Sequence, residues 1–273
     1  MRTASKWIRI AIVVICGVLF LALCGMMLQI LVGYARDKQV NDKVNQGFEA
    51  LESIPRETES MDEETEGVSV VEGMSEEMRE QYAYLLKLKE EYPDVVGYVS
   101  VPSVSIHYPV VQTTNNTYYL DHLITGEKGS SGTVFLDYRC DADANLAKNS
   151  VLYGHNMNNR TMFHNVELLF SREAFEAGAV EYITEEGIFI YKPLSVYRTT
   201  TEDTYDKYLF SDDEEYMMFC EEQAAKSRFA TDDLEITPDS GVITFVTCTN
   251  SVTDKTERYI YQAVLERVYL PQG

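Results

Sequence analysis

The sequence predicts a mainly β domain, a barrel or a sandwich with helical insertions, carried behind a single N-terminal transmembrane helix. Three observations lead there. Residues 10–28 form an apolar run with no charged side chain, long enough to cross a bilayer as a helix. Beyond residue 94 come many short β-branched segments, separated by turn residues and interrupted by few helical stretches. Between the two lies an acidic stretch too polar to build a core of its own. The 273 residues suffice for one domain of ordinary size plus these appendages.

The elements follow in chain order. Arg2, Lys6 and Arg9 precede the apolar run and Trp7 suits an interfacial position, so the positive-inside rule puts the N-terminus in the cytoplasm and everything after Tyr34 outside. Arg36 and Lys38 pull against that orientation, with Asp37 between them. A cleaved signal peptide is disfavoured because the run exceeds the usual apolar core and no small-residue cleavage site follows. "LALCG" invites a lipoprotein reading, but Leu23 is bulky where such sites prefer a small residue. The expected division is a cytoplasmic 1–9, a membrane anchor at 10–34, a juxtamembrane helix and acidic linker at 35–73, and an extracellular domain at 74–273.

Val40, Val44, Phe48 and Leu51 recur at helical spacing. Residues 52–73 then carry eight acidic side chains against Arg56 alone and read as a solvated spacer. Ser75 caps a helix to about Tyr92, with Leu85, Leu86 and Leu88 on its apolar face and Pro93 ending it. "VVGYVSV" and "SIHYPVVQ" follow as strands, then 133–136, 150–153, 180–184, 188–199, 242–248 and 259–268. Before the last two, a start at 211–213 and the apolar residues Tyr216, Met217, Phe219, Cys220 and Ala224 predict a helix.

A net charge of −21 argues against a nucleic-acid partner. No cysteine or histidine spacing suggests a metal site. Cys16 and Cys24 lie in the apolar run, which leaves Cys140, Cys220 and Cys248. Three is odd, so this is no disulfide scaffold. Cys248 ends the strand "GVITFVTC", where a thiol meets the loop. Cys140 sits in the polar "YRCDAD", whose Asp141 and Asp143 disfavour a thiolate, and Cys220 faces a helix core. Thiol chemistry needs a proton carrier and an oxyanion donor. Of four histidines, His155 in "VLYGHNMNN" ends a strand as Cys248 does. His107 lies mid-strand, His122 in a short segment of helical promise, and His164 on a helix surface. Arg258 opens the last strand, with a nine-residue loop between it and Cys248. Antiparallel pairing would bring the two together, and a guanidinium stays charged at any working pH.

"TFVTC", followed ten residues later by Arg258 and preceded by "YGHNM", resembles the sortases, most of all class B. "YPDVVGYVSVPSVSIHYPVVQ", "NNTYYLDH", "SSGTVFLDYR" and "VLYGHNMNNRTMFHNVELL" resemble class B segments in family order, and the likeness runs over about 82–268. Phe245 departs from the signature, which usually has leucine there. Strand alternation points it away from Cys248.

The resemblance implies a closed eight-stranded barrel with a helix inserted before the cysteine strand. It implies a membrane-anchored cysteine transpeptidase that cuts a C-terminal sorting signal of secreted proteins after threonine, through a thioacyl intermediate, and transfers them to an amine of the cell wall. By the same carry-over His155, Cys248 and Arg258 are the catalytic set, Asn116, Leu120 and Thr247 line the substrate groove, and no metal or other cofactor is needed. A pilin-polymerising sortase, with a lysine amine as acceptor, a cysteine hydrolase and a tethered non-catalytic binding module are the alternatives.

Overall fold

Eight strands close into a barrel because the last of them is long enough to be shared. In the computed structural model, which describes residues 2–52, 67–145, 147–231 and 234–271, β9 (Glu257–Leu270) pairs antiparallel with β7 (Gly187–Thr200) along its full length. On its other edge it pairs with β8 (Val242–Cys248). From β7 the sheet continues through β6 (Val180–Thr184), β2 (Val95–Val101), β3 (Ile106–Val111), β4 (Phe135–Leu136) and β5 (Asn149–Tyr153), which returns to β8 in parallel. The interior is filled by one large cluster that includes Phe163, Phe175, Phe189, Phe245 and Tyr261.

The helices follow their sequence signals. α2 (Glu76–Glu91) starts where Ser75 accepts a hydrogen bond from Met78 N–H at 3.2 Å, with Glu76 and Glu77 in its first turn, and it buries Leu85 and Leu88. α3 (Arg172–Glu176) is a single short turn capped by Ser171. α4 (Asp213–Ala225) is capped by Asp212 and lays Tyr216, Phe219 and Cys220 against Leu194, Val242 and Val264 on the outside of β7, β8 and β9.

Three expectations change. First, the membrane run and the juxtamembrane helix are one helix, α1 (Arg2–Glu52). Large apolar side chains from Ile10 to Val32 stand exposed, whereas Val44 and Phe48 are buried in the barrel's second cluster and Asp37 is buried too. The lower half of α1 therefore belongs to the folded domain. The Leu51 side chain lies outside the described residues. Second, the spacer does not run to Gly73. Ser69–Glu72 form a strand, β1, parallel to β9 on the edge that β8 leaves open. Residues 53–66, with most of the acidic charge, lie outside the described residues. Third, the strand expected at 133–136 shrinks to Phe135–Leu136. Thr133 N–H and Oγ1–H instead donate to the carbonyls of Tyr119 and His122, both at 3.0 Å.

Candidate active site

Register alone carries three sequence-distant side chains to one rim. In the parallel β5–β8 ladder Tyr153 lies beside Val246, and the pairing ends with Gly154 N–H donating to the Val246 carbonyl at 3.3 Å. His155 and Cys248 stand two residues past that pair, each at its own strand end. In the antiparallel β8–β9 ladder the final pair is Cys248 with Arg258. β8 is buried from Val242 through Thr247, and Cys248 is its first exposed residue. A buried polar chain beneath the rim fixes this register. Ser195 Oγ donates to Gln262 Oε1 (2.7 Å), Gln262 Nε2 to Thr244 Oγ1 (3.1 Å), and Thr244 Oγ1 to Asn149 Oδ1 (2.7 Å). It links β7, β9, β8 and β5 with every bond satisfied.

The imidazole is oriented by main chain. His155 Nε2 lies 2.7 Å from the Leu120 carbonyl. A carbonyl only accepts, so the ring keeps its hydrogen on Nε2 and Nδ1 is the nitrogen left for proton exchange with a bound group. Leu120 ends a 3₁₀ turn, Tyr118–Leu120, that the Asn115 side chain initiates by accepting from Thr117 N–H and Tyr118 N–H, both at 2.9 Å. Gly132 returns beneath that turn with φ of +57°, where any Cβ would strike the Tyr119 carbonyl. Gly154 has a packing reason of its own. A Cβ there would come within 2.7 Å of the Phe163 ring, and Phe163 N–H holds the His155 carbonyl at 2.9 Å.

The Arg258 guanidinium is steadied at Nη1, which donates to the carbonyls of Lys255 (2.9 Å) and Glu257 (2.8 Å). A buried Tyr205 from the β7–α4 connection lies within electrostatic reach of both Arg258 and Cys248. Burial pushes its hydroxyl up to about 12, against the opposing pull of Arg258. The other thiols are shut away. Burial raises Cys220 to about 11 and Cys140 to about 12, and Cys140 Sγ–H donates to the Asn149 carbonyl at 3.2 Å. The inertness of Cys140 thus comes first from burial, not from its neighbours Asp141 and Asp143.

The remaining expected residues are placed as follows. Leu120 is 41% exposed beside His155. Asn116 Oδ1 accepts from Tyr138 N–H at 3.0 Å and its side chain helps hold the Asp137 carboxylate, so the wall engages it. Thr247 is buried next to the thiol, its Oγ1 without a hydrogen-bond partner among the described residues. His107 is half-buried on β3 with Nδ1 3.2 Å from Ser100 Oγ. His122 is not helical. It makes an isolated bridge with Lys128 and stacks on Tyr118. His164 is no free surface residue, for its Nδ1 lies 2.8 Å from Asn156 Oδ1. Phe245 packs on Phe163 and Tyr261, away from the exposed thiol as strand alternation requires. Among the described residues no group of three or more His, Cys, Asp or Glu is placed to hold a metal ion.

A closed eight-stranded barrel with a thiol, an imidazole and a guanidinium at one rim is the frame on which a Sortase domain family model matches residues 99–266, a span that contains all three. The chain is a class B sortase. It is 30% identical to Sortase B of Staphylococcus aureus over 194 residues, 71% of this chain and 78% of that one. It is likewise 30% identical to Sortase B of Listeria monocytogenes, over 69% of this chain and 75% of that one. The S. aureus sortase B–substrate complex superposes with a TM-score of 0.69 at 25% identity, over 86% of this chain and 98% of the other. Clostridium perfringens sortase B superposes at 0.61 with 31% identity, over 66% and 98%. As a member of this family the sortase is a cysteine transpeptidase, and its thiol chemistry needs a nucleophile, a proton carrier and a charge donor in reach of one acyl group.

Proposed function

We propose that this sortase is a membrane-anchored transpeptidase that cuts a C-terminal sorting signal of secreted proteins after threonine and passes the acyl group to an amine of the cell wall, with Cys248, His155 and Arg258 as its catalytic residues. The observation that carries the reading is their convergence at the β5–β8–β9 rim, where Cys248 is the first exposed residue of an otherwise buried strand.

In the first step the Cys248 thiol gives its proton to His155 Nδ1 and the thiolate attacks the threonine carbonyl carbon. The S–C bond forms as the C–N bond breaks, and Arg258 stabilises the negative charge that develops on the carbonyl oxygen. The leaving amine takes a proton from His155 Nδ1 while Nε2 keeps its hydrogen and donates it to the Leu120 carbonyl. In the second step an acceptor amine attacks the thioester, its proton goes to Nδ1, and the thiolate leaves. Asn116, Leu120 and Thr247 line the groove in this reading. Leu120 offers exposed apolar surface next to the imidazole, and Asn116 holds the wall behind it.

The anchor is the upper part of α1, with Arg2, Lys6 and Arg9 on the cytoplasmic side and the barrel outside. One helix long and apolar enough to span supports the anchor, and the basic residues ahead of the run favour this orientation. The test is cleavage of a small peptide library, built on Asn-Pro-x-Thr-Asn and Ser/Pro-Pro-x-Thr-Gly cores, by the full chain in detergent, with and without an added glycine or lysine amine. Cleavage should depend on Cys248 and yield an amide product when amine is present. Cleavage that survives Cys248→Ala would reject the assignment, and hydrolysis that ignores the amine would reject transfer.

A further inference from the structure

The loop after β5 and the loop after β8 hold each other through two asparagines. Asn156, adjacent to His155, sends its Nδ2–H to the Cys248 carbonyl at 2.9 Å. In return, Asn250, two residues past Cys248, sends its Nδ2–H to the Asn156 carbonyl at 2.9 Å. Each loop thus donates a side-chain amide to the main chain of the other, across the gap that separates imidazole from thiol. Asn156 is 8% exposed, so its amide makes these bonds away from water, where a mispaired group is costly. Asn250 sits at φ of +58°, a left-handed conformation that asparagine tolerates better than most residues.

The direction of the Asn156 amide is itself fixed. With Nδ2 committed to the Cys248 carbonyl, Oδ1 accepts from His164 Nδ1 at 2.8 Å, and His164 Nε2 faces Glu167 Oε1 at 3.3 Å. A flipped amide would set two oxygens together at Cys248 and two donors together at His164. The main chain at Asn156 is also bridged to Met162, so the loop has little freedom left once both amides are made.

We infer that Asn156 and Asn250 are positioning residues that set the distance between His155 and Cys248, with His164 orienting the Asn156 amide. This rests on His155 and Cys248 being the reacting pair. Neither asparagine needs to touch substrate. Near-attack geometry is steep, a displacement of about 1 Å costing about a hundredfold in rate, so a clamp on the two loops acts on turnover and not on substrate affinity.

The experiment uses the full chain in detergent and the best-cleaved peptide of the library above, with Asn156→Asp, Asn250→Asp, His164→Ala and His164→Gln. Each asparagine change replaces one N–H donor by an oxygen at nearly constant shape. Asn250 is exposed, so its variant keeps the core intact, and thermal unfolding checks both. The expected result is a kcat reduced roughly ten- to a hundredfold in both aspartate variants with KM within about twofold of the parent. His164→Ala should lose a smaller factor, and His164→Gln, which restores a donor, should recover part of it. A folded Asn250→Asp with unchanged kcat, or one whose only effect is a raised KM, would overturn the clamp. Failure of the underlying pair is distinguishable, since activity would then persist in Cys248→Ala.

Discussion

Arg139 connects the barrel wall to the β7–α4 connection that carries Tyr205. Its Nε and Nη2 hold the fully buried Asp137 carboxylate at 2.9 and 2.6 Å, and Nη2 also reaches Asp206 at 2.7 Å, next to Tyr205. Burial alone would raise the Asp137 carboxyl, but hydrogen bonds and charge from Arg139 outweigh it and hold the group below the usual carboxylate range. Its contribution to stability is therefore present above the unfolded value of about 3.9 and is lost as pH falls through the lower folded value. Arg139→Met removes the guanidinium and leaves burial opposed by the main-chain N–H of residue 139, Tyr153 and Asn116. The variant should lose about 3–5 kcal/mol at pH 7 and the gap should narrow towards pH 4, where the orphaned acid takes up its proton. Urea unfolding at the two pH values checks this, and a gap that does not change with pH would refute it. At this scale the sequence was legible for the strand-end positions of His155, Cys248 and Arg258, where residue identity and strand boundary coincide. It was silent on the Leu120 carbonyl, because a main-chain acceptor carries no residue signature. It was silent on Asn156 and Asn250 because any loop is rich in asparagine. Tyr205 was hidden in a long connection whose path no periodicity reveals.

The element that most changes the expected division is the lower half of α1. Phe48 stacks on Tyr98 with ring centroids 3.4 Å apart and meets Tyr84 edge-on at 4.7 Å, while Tyr84 Oη–H donates to the Val44 carbonyl at 3.2 Å. Asp37 accepts from Ser130 Oγ–H and Ser131 N–H at 3.0 and 3.1 Å. Phe48→Ala should cost about 3–5 kcal/mol, the usual range for an aromatic removed from a core. A soluble fragment that begins at Met74 gives up this helix and β1 together, so its urea midpoint should fall well below that of a fragment beginning at Ala35. Equal midpoints would show that the helix is only a tether. The four-residue spacing of Val40, Val44 and Phe48 announced the helix but not its partner, since a short apolar stripe names no surface. β1 escaped notice because four residues at the edge of an acidic stretch give too little alternation to read, and β9 supplies the rest. The longer strands β7, β8 and β9 were read to within two residues, because largely buried apolar runs bounded by turn residues leave little else to form.

Across the whole molecule, the apolar run and the segment docked on the barrel share one continuous helix. Arg36 pairs with Glu127 and Asp37 with Ser130 and Ser131, only a few residues below the apolar run. At 1.5 Å per residue, the proposed anchor, ending near Tyr34, would set the loop 127–131 within roughly 5 Å of the helix exit. The described elements on either side of residues 53–66, α1 and β1, both dock on the barrel. The thiols give a whole-molecule readout. In the folded, membrane-reconstituted chain a water-soluble maleimide at neutral pH should modify Cys248 and spare Cys140 and Cys220, which burial both hides and keeps protonated. Mass spectrometry before and after unfolding checks this, and modification of all three in the folded state would contradict the packing. The most direct test of the account is to mix the full chain with a cleavable sorting-signal peptide, quench in acid within a turnover, and find the acyl group by mass. The account requires a thioester on Cys248 that hydroxylamine removes, absent from Cys248→Ala and accumulating less in His155→Ala. An acyl group on any other residue, or turnover without acylated Cys248 at any time, would contradict it.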